Sequence, residues 1–314
     1  MAARLALSGQ QVSGLARGAT LAAVRAHGLR LHTGAKRESC ALTVSDDAAA
    51  LGPQDLVVLA LKGPALVQSA AALRPLLGPG TLVLPAMNGV PWWFLQTGAA
   101  DPRLGDRRLL SVDPHRQIEA ALPLAQVLGC VVHLTCSSPE PGLIQHGFGK
   151  RLIVGEPAGG TSARVAAVCA ALAQADIQAE PSADIRQDIW YKLWGNMTMN
   201  PVSALTGATS DRILDDPLVF GFILRTMAEA AEIGAQIGCP ITQSGEERMG
   251  LARQLGAFRT SMLQDTLAAR PLELDALVTA VQEIGARLKQ STPCIDALLG
   301  LTRLMARQRG LYPA

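Results

Sequence analysis

The chain has 314 residues, of which 49% are hydrophobic and only 4% aromatic, and its formal net charge is +2. This length suits one large or two ordinary domains, and the apolar content is ample for a core. Arginines are scattered without a basic run, which argues against nucleic acid as a main partner, and no apolar stretch approaches the roughly eighteen residues needed to span a membrane. The opening MAARLALSGQQ lacks the apolar run and cleavage site of a signal peptide, so a cytoplasmic location is expected. Six cysteines (Cys40, Cys130, Cys136, Cys169, Cys239 and Cys294) show neither a C-x-x-C pair nor zinc spacing. Buried free thiols and no metal site are the expectation.

In chain order, MAARLAL reads as the tail of an amphipathic helix that ends at Gly9 before a strand, Val12–Ala16, finishing in Arg17. In a dinucleotide-binding domain the first helix leads to the second strand, whose tip meets the adenosine ribose, and an Arg there suits a 2′-phosphate. Arg17 therefore reads as an NADP discriminator, although an ordinary surface also carries isolated arginines. Helical runs Ala19–Ala26 and Ala65–Leu77 then alternate with strands Asp55–Leu61, Gly80–Ala86, Gly129–Leu134 and Arg151–Gly155. Near-continuous apolar strands between helices imply a parallel α/β sheet covered on both faces, spanning residues 1–182. The intervening stretch Pro91–Val127, with Trp92-Trp93 and Asp113-Pro114-His115, is either a lid or a surface excursion. From residue 183 to 314 the patterns are long and helical: Asp216–Ile237, Ser244–Leu267, Leu272–Lys289 and Thr292–Gln308. This half should be an all-helical domain.

The stretch that concentrates chemistry is Trp190–Asn200, WYKLWGNMTMN. On a helix, steps of four turn about 400°, so Lys192, Asn196 and Asn200 drift only about 80° and share a face. A solvated polar stripe is the bland alternative. Two facts weigh against it: the chain has only three asparagines (Asn88, Asn196, Asn200) and only five lysines against twenty-three arginines. Arg cannot donate a proton near neutrality, whereas Lys can. With Trp190, Tyr191 and Trp194 around them, these polar groups should be partly buried and in need of partners. Pro201 should kink or end the helix.

The segments LVVLALKGPAL, MNGV, GCVVHL, GKRLIVGE, KLWGNMTMNPVSALTGAT, SMLQD and ELD follow in that order and together resemble the ketopantoate reductase (2-dehydropantoate 2-reductase) family. The resemblance implies NADP(H)-dependent reduction of a small 2-oxo acid, ketopantoate, to pantoate on the route to pantothenate and coenzyme A. It also implies a Rossmann-type domain followed by a helical domain of the 6-phosphogluconate-dehydrogenase-like type, with the site in the cleft. The oligomeric state stays open, a homodimer among the options. Lys192 resembles the family's proton donor; a desolvated amine can have its pKa lowered far enough to protonate an alkoxide at C2. Asn196, Asn200 and Ser261 resemble substrate-binding positions. Asn88 resembles one that touches both substrate and nicotinamide, although Asn-Gly is also an ordinary turn signal. Glu273 resembles the acidic residue facing the substrate hydroxyl and the cofactor ribose, Lys62 a Lys near the cofactor, and Leu134 a position whose backbone faces it.

Against the family pattern, the first strand and its G-x-G-x-x-G turn, which would bind the pyrophosphate, do not precede MAARLAL. Losing a central strand would leave two open edges and cost several kcal/mol of a total of about 5–15 kcal/mol. The expectation is that the reading frame continues upstream; the rival is a cofactor-free, non-catalytic remnant. Ser210, Phe258, Val278 and Thr279 stand where relatives carry more polar residues or Asn-Gly, which opens a second substrate class, a more apolar 2-oxo acid.

Overall fold

The computed structural model describes residues 1–98 and 101–313. The chain forms two compact units, the first from Met1–Leu61, Gln68–Met87 and Gln117–Ile185, the second from Lys62–Val67, Asn88–Arg116 and Arg186–Ala314. Chain order begins with α1 (Ala2–Leu7), β1 (Ser13–Leu15), α2 (Gly18–His27), β2 (Leu29–Thr33), β3 (Lys36–Cys40), β4 (Thr43–Ser45) and β5 (Gln54–Leu59). It continues through α3 (Gly63–Ser69), β6 (Leu77–Pro85), α4 (Gln117–Ala121), β7 (Gly129–His133), β8 (Cys136–Ser137), β9 (Leu143–His146), β10 (Arg151–Gly155), α5 (Ala163–Gln174) and β11 (Gln178–Ser182).

In the first unit β1 runs parallel to β4, β5 to β6, and β10 to β11, as the apolar runs imply. Antiparallel pairs join them: β7 with β10, β2 with β3, and β8 with β9. The sequence pattern did not show β3 and β8, because KRESC and Cys136-Ser137 lie mostly at the surface and carry no apolar alternation. Among the described residues β1 pairs only with β4, and β5 only with β6. Each therefore keeps one edge without a strand partner among the described residues. The core lies where α5 covers β7 and β10: Leu84, Leu128, Leu152, Val154 and Leu172 are all fully buried there. Ser162 starts α5 by accepting the Val165 N–H at 3.2 Å. Cysteines among the described residues are free thiols; the expectation that they are buried holds for Cys130, Cys169 and Cys239, while Cys40 and Cys294 are half-buried and Cys136 is exposed in the short strand β8.

The second unit is helical: α6 (Ile185–Thr206), α7 (Ser210–Asp215), α8 (Pro217–Gln236), α9 (Gly245–Arg253), α10 (Ser261–Leu267), a π-helical turn at Asp275–Thr279, α11 (Ala280–Leu288) and α12 (Pro293–Gln308). Start signals are explicit. Asp216 accepts the Leu218 and Val219 N–H groups at 3.0 Å ahead of Pro217, and Ser244 with Glu247 closes a capping box on α9. Three expectations are corrected. The run Ser244–Leu267 is two helices, because Gly256 at φ +62° turns the chain and Thr260 caps a new helix through the Leu263 N–H at 3.2 Å. Pro201 does not end α6, which runs on to Thr206. Residues 197–204 are all buried, so packing offsets the missing backbone bond. Finally, the stretch Pro91–Val127 is not wholly a surface excursion, since it begins in the core although much of 102–125 is exposed. Trp92, Trp93, Phe94 and Leu95 are at most 3% exposed, in the core of the second unit.

Candidate active site

α6 presents different chemistry on its two sides. Trp190, Trp194 and Met197 are buried; Phe94 stacks on Trp190 with ring centroids 5.9 Å apart, and Trp194 donates to the Met227 carbonyl at 2.7 Å. Gly234 backs Trp190 so closely that a Cβ there would lie 2.2 Å from the indole nitrogen. With that side locked, Lys192, Asn196 and Asn200 stand in a row on the other. Lys192 Nζ donates to Asn88 Oδ1 at 2.7 Å, and the buried Asn200 reaches Ser261 Oγ with a long contact of 3.5 Å. The side chain of Asn196, half-buried between them in sequence, makes no hydrogen bond among the described residues.

The remaining site residues close a ring back to α6 within the second unit. Asn88 is held by its neighbours: Gly89 takes φ +87° and lies so close to Ala276 that a Cβ would come within 2.6 Å of its carbonyl oxygen. The next residue, Val90, donates its N–H to that same oxygen at 2.8 Å. Only glycine satisfies both the left-handed backbone and the close approach. Ala276 belongs to the π-helical turn three residues beyond Glu273, so the loop that aims Asn88 and the segment that carries Glu273 are tied together. Such turns recur at functional sites because they re-aim side chains.

Glu273 in turn accepts the Gly63 N–H at 3.4 Å, and Lys62 Nζ sits 2.8 Å from the Pro271 carbonyl and 2.7 Å from Asp265 Oδ2. Asp265 lies four residues after Ser261 on α10, one turn along the same face. Burial pushes the Glu273 carboxyl above the ordinary carboxylate range. The Lys62 cation and the Gly63 N–H pull it back, and the Asp265 charge adds to the rise. The arrangement thus links a fixed amine, three carboxamides, a hydroxyl and a half-buried acid within the second unit.

Of the residues singled out from sequence, Lys62, Asn88, Lys192, Asn200, Ser261 and Glu273 are joined in this ring, and Asn196 shares the α6 row. Arg17 and Leu134 are not among them; both belong to the first unit. Arg17 is exposed at the carboxyl end of β1, at the start of α2, and makes no ion pair among the described residues. Leu134 follows β7, its side chain packed against the first unit's core. Sequence reasoning missed Asp265, Arg270 and Ala276. Asp265 was within reach, because it ends the SMLQD motif at i+4 from Ser261.

A family model described as ketopantoate reductase PanE/ApbA matches residues 1–159, and its C-terminal counterpart matches residues 184–306. The chain belongs to the ketopantoate reductase family. Its members are oxidoreductases, and so is this chain. A 2-dehydropantoate 2-reductase from Mesorhizobium japonicum is 42% identical over 313 residues, 99% of this chain and 95% of the relative. The crystal structure of a candidate ketopantoate reductase from Ralstonia solanacearum superposes with a TM-score of 0.94 at 58% identity, covering 98% of this chain and 94% of that one. D-mandelate dehydrogenase, solved with NADH and anilino(oxo)acetate, shares the fold at 18% identity with a TM-score of 0.82, covering 98% and 94%.

The departures from the family pattern now have positions. Ser210 Oγ donates to the Gly256 carbonyl at 2.6 Å and accepts the Phe258 N–H at 3.1 Å, so it fastens the turn between α9 and α10. Val278 is fully buried, and Thr279 donates to Asp275 at 3.3 Å. These three are absorbed by the fold, so the expectation that all four changes make the site less polar holds at most for Phe258, which is half-buried.

Proposed function

We propose that the chain reduces ketopantoate to pantoate with NADPH. The observation that carries this reading is the Lys192 ammonium held at 2.7 Å by the Asn88 carboxamide, on a helix row with two further carboxamides. Reducing a C2 ketone needs a hydride and a proton. The nicotinamide, when bound, supplies the hydride. Lys192 is suited to give the proton to the oxygen at C2, and its hydrogen bond to Asn88 keeps the amine from turning away. Asn196, Asn200 and Ser261 hold the keto-acid by neutral hydrogen bonds. Glu273, whose carboxyl burial raises above the ordinary carboxylate range, can donate to a hydroxyl of substrate or cofactor ribose when protonated and accept from it when ionised. For the dinucleotide, an exposed Arg17 with no carboxylate partner among the described residues, beside the N–H groups that open α2, fits a 2′-phosphate better than a bare ribose hydroxyl. Lys62, Asn88, Glu273 and the Leu134 backbone complete the residues assigned to it.

A more apolar 2-oxo acid is the second reading. It rests on Phe258 alone, half-buried where some relatives carry a polar Asn. The test is NADPH oxidation, followed by absorbance, with ketopantoate and a panel of 2-oxo acids of increasing apolar side chain. Ketopantoate should have the highest kcat/KM, and Arg17→Glu should weaken NADPH but not NADH. A panel with no turnover, together with no NADPH binding, sinks the proposal in favour of a non-catalytic fold.

A further inference from the structure

The Lys62 ammonium touches one group on α10 and one on the stretch that joins α10 to Glu273. One is Asp265 Oδ2 at 2.7 Å, the other the Pro271 carbonyl at 2.8 Å. The opposite oxygen of Asp265, Oδ1, is engaged by Arg270 Nε at 3.0 Å, and the Arg270 N–H donates to the Asp265 carbonyl at 2.9 Å. Asp265 is only 8% exposed. A carboxylate so buried is tolerated only when paired, and here each oxygen has its own cation. Exposed ion pairs contribute little, but one that fastens a turn from two directions restricts geometry. The residue after Lys62, Gly63, gives its N–H to Glu273 Oε1 at 3.4 Å. Lys62 and Gly63 are thus consecutive stitches, one to Asp265 and Pro271, the other to Glu273.

We infer that Asp265 is a positioning residue: by holding the Lys62 ammonium against the Pro271 carbonyl it fixes the Lys62-Gly63 turn, and through that turn the place of the Glu273 carboxyl relative to Ser261. The inference assigns Asp265 a role in presenting the acid used in the proposed reaction, and so rests on that reading for its purpose though not for its geometry. Ser261 and Asp265 lie one turn apart on α10, so the same helix that meets Asn200 at one residue grips Lys62 at the other.

The test needs neither cofactor nor turnover. The groups facing Glu273 are the Lys62 cation, the Gly63 N–H and the Asp265 carboxylate; Asp275, two residues on, bonds Thr279 and Tyr312 instead. The Glu273 titration is read from the infrared carbonyl band of the protonated acid, assigned by its loss in Glu273→Gln. Lys62 reactivity is read by acylation and peptide mass spectrometry. Two outcomes of Asp265→Asn separate positioning from a mere charge effect. If Asp265 holds Lys62 in place, its loss releases the cation, and the Glu273 midpoint moves up, in the same direction as in Lys62→Met. Lys62 acylation then rises about tenfold or more, as expected for losing one charge-assisted hydrogen bond. If Lys62 stays put, removing a neighbouring negative charge moves the midpoint down and leaves acylation unchanged. That outcome, or no change in either readout, overturns the inference. Should Asp265→Asn fail to fold, Asp265→Glu serves in its place: a midpoint and reactivity equal to wild type support the hold on Lys62, and a downward midpoint refutes it. Lys192→Ala turnover, measured separately, reports on the proposed reaction alone.

Discussion

The two sides of α6 carry the same helix for opposite purposes. One is apolar and sealed: Trp190 at 1% exposure, Trp194 and Met197, closed by Phe94 and Gly234. The other carries Lys192, Asn196 and Asn200, with contacts made through single polar atoms. Stability should therefore be concentrated on the first side and chemistry on the second. A protein that hides its aromatics this thoroughly on one side can leave an unbonded carboxamide, Asn196, on the other.

Lys192→Ala should break this comparison most visibly, lowering kcat by about 10²–10⁴-fold while Tm stays near wild type. Equal turnover by the variant would remove the general acid from the scheme. Trp190→Ala tests the sealed side: it should destabilise by about 3–5 kcal/mol in denaturant unfolding while the folded fraction keeps its KM. A stable Trp190→Ala with altered KM would mean the sides are not separate. Asn88→Ala removes the hydrogen bond that orients Lys192. A bond to a charged group contributes about 1.5–3 kcal/mol, so kcat should fall by roughly 10- to 150-fold with little change in Tm. The smallest effect concerns Glu273. Burial raises its carboxyl, so between the ordinary and the raised value the folded state holds more protons than the unfolded one, and stability falls as pH rises through that window. Glu273→Gln removes that slope, so its Tm relative to wild type should be higher at about pH 8 than at about pH 4. An identical difference at both pH values would show that burial does not set this group's titration.

Much of the second unit's chemistry was legible because helical spacing is local. The row at 192, 196 and 200 needs only the 3.6-residue period, and scarcity of Asn and Lys marks it further. Strands β1, β5, β6, β7 and β10 were legible from apolar runs. The short strands β2, β3, β4, β8, β9 and β11 were not; β3 and β8 lie at the surface without apolar alternation, although their hairpin partners β2 and β9 are close by in the chain. Pro201 and the 244–267 run misled because a local breaker rule was weighed without the burial that overrode it in one case, and a helical period was read across a glycine turn in the other.

By itself, the order of amino acids determined the kinds of element, the family, and which side of α6 would bear the amine, since each depends on neighbours within a few residues. Only the tertiary structure decided that the stretch from Pro91 begins in the core, that Gly89 must lie on Ala276, and that Asp265 and Pro271 grip Lys62. Each of these joins residues far apart in the chain. Spacing along a sequence carries no term for a contact that exists only once two such segments have been packed side by side.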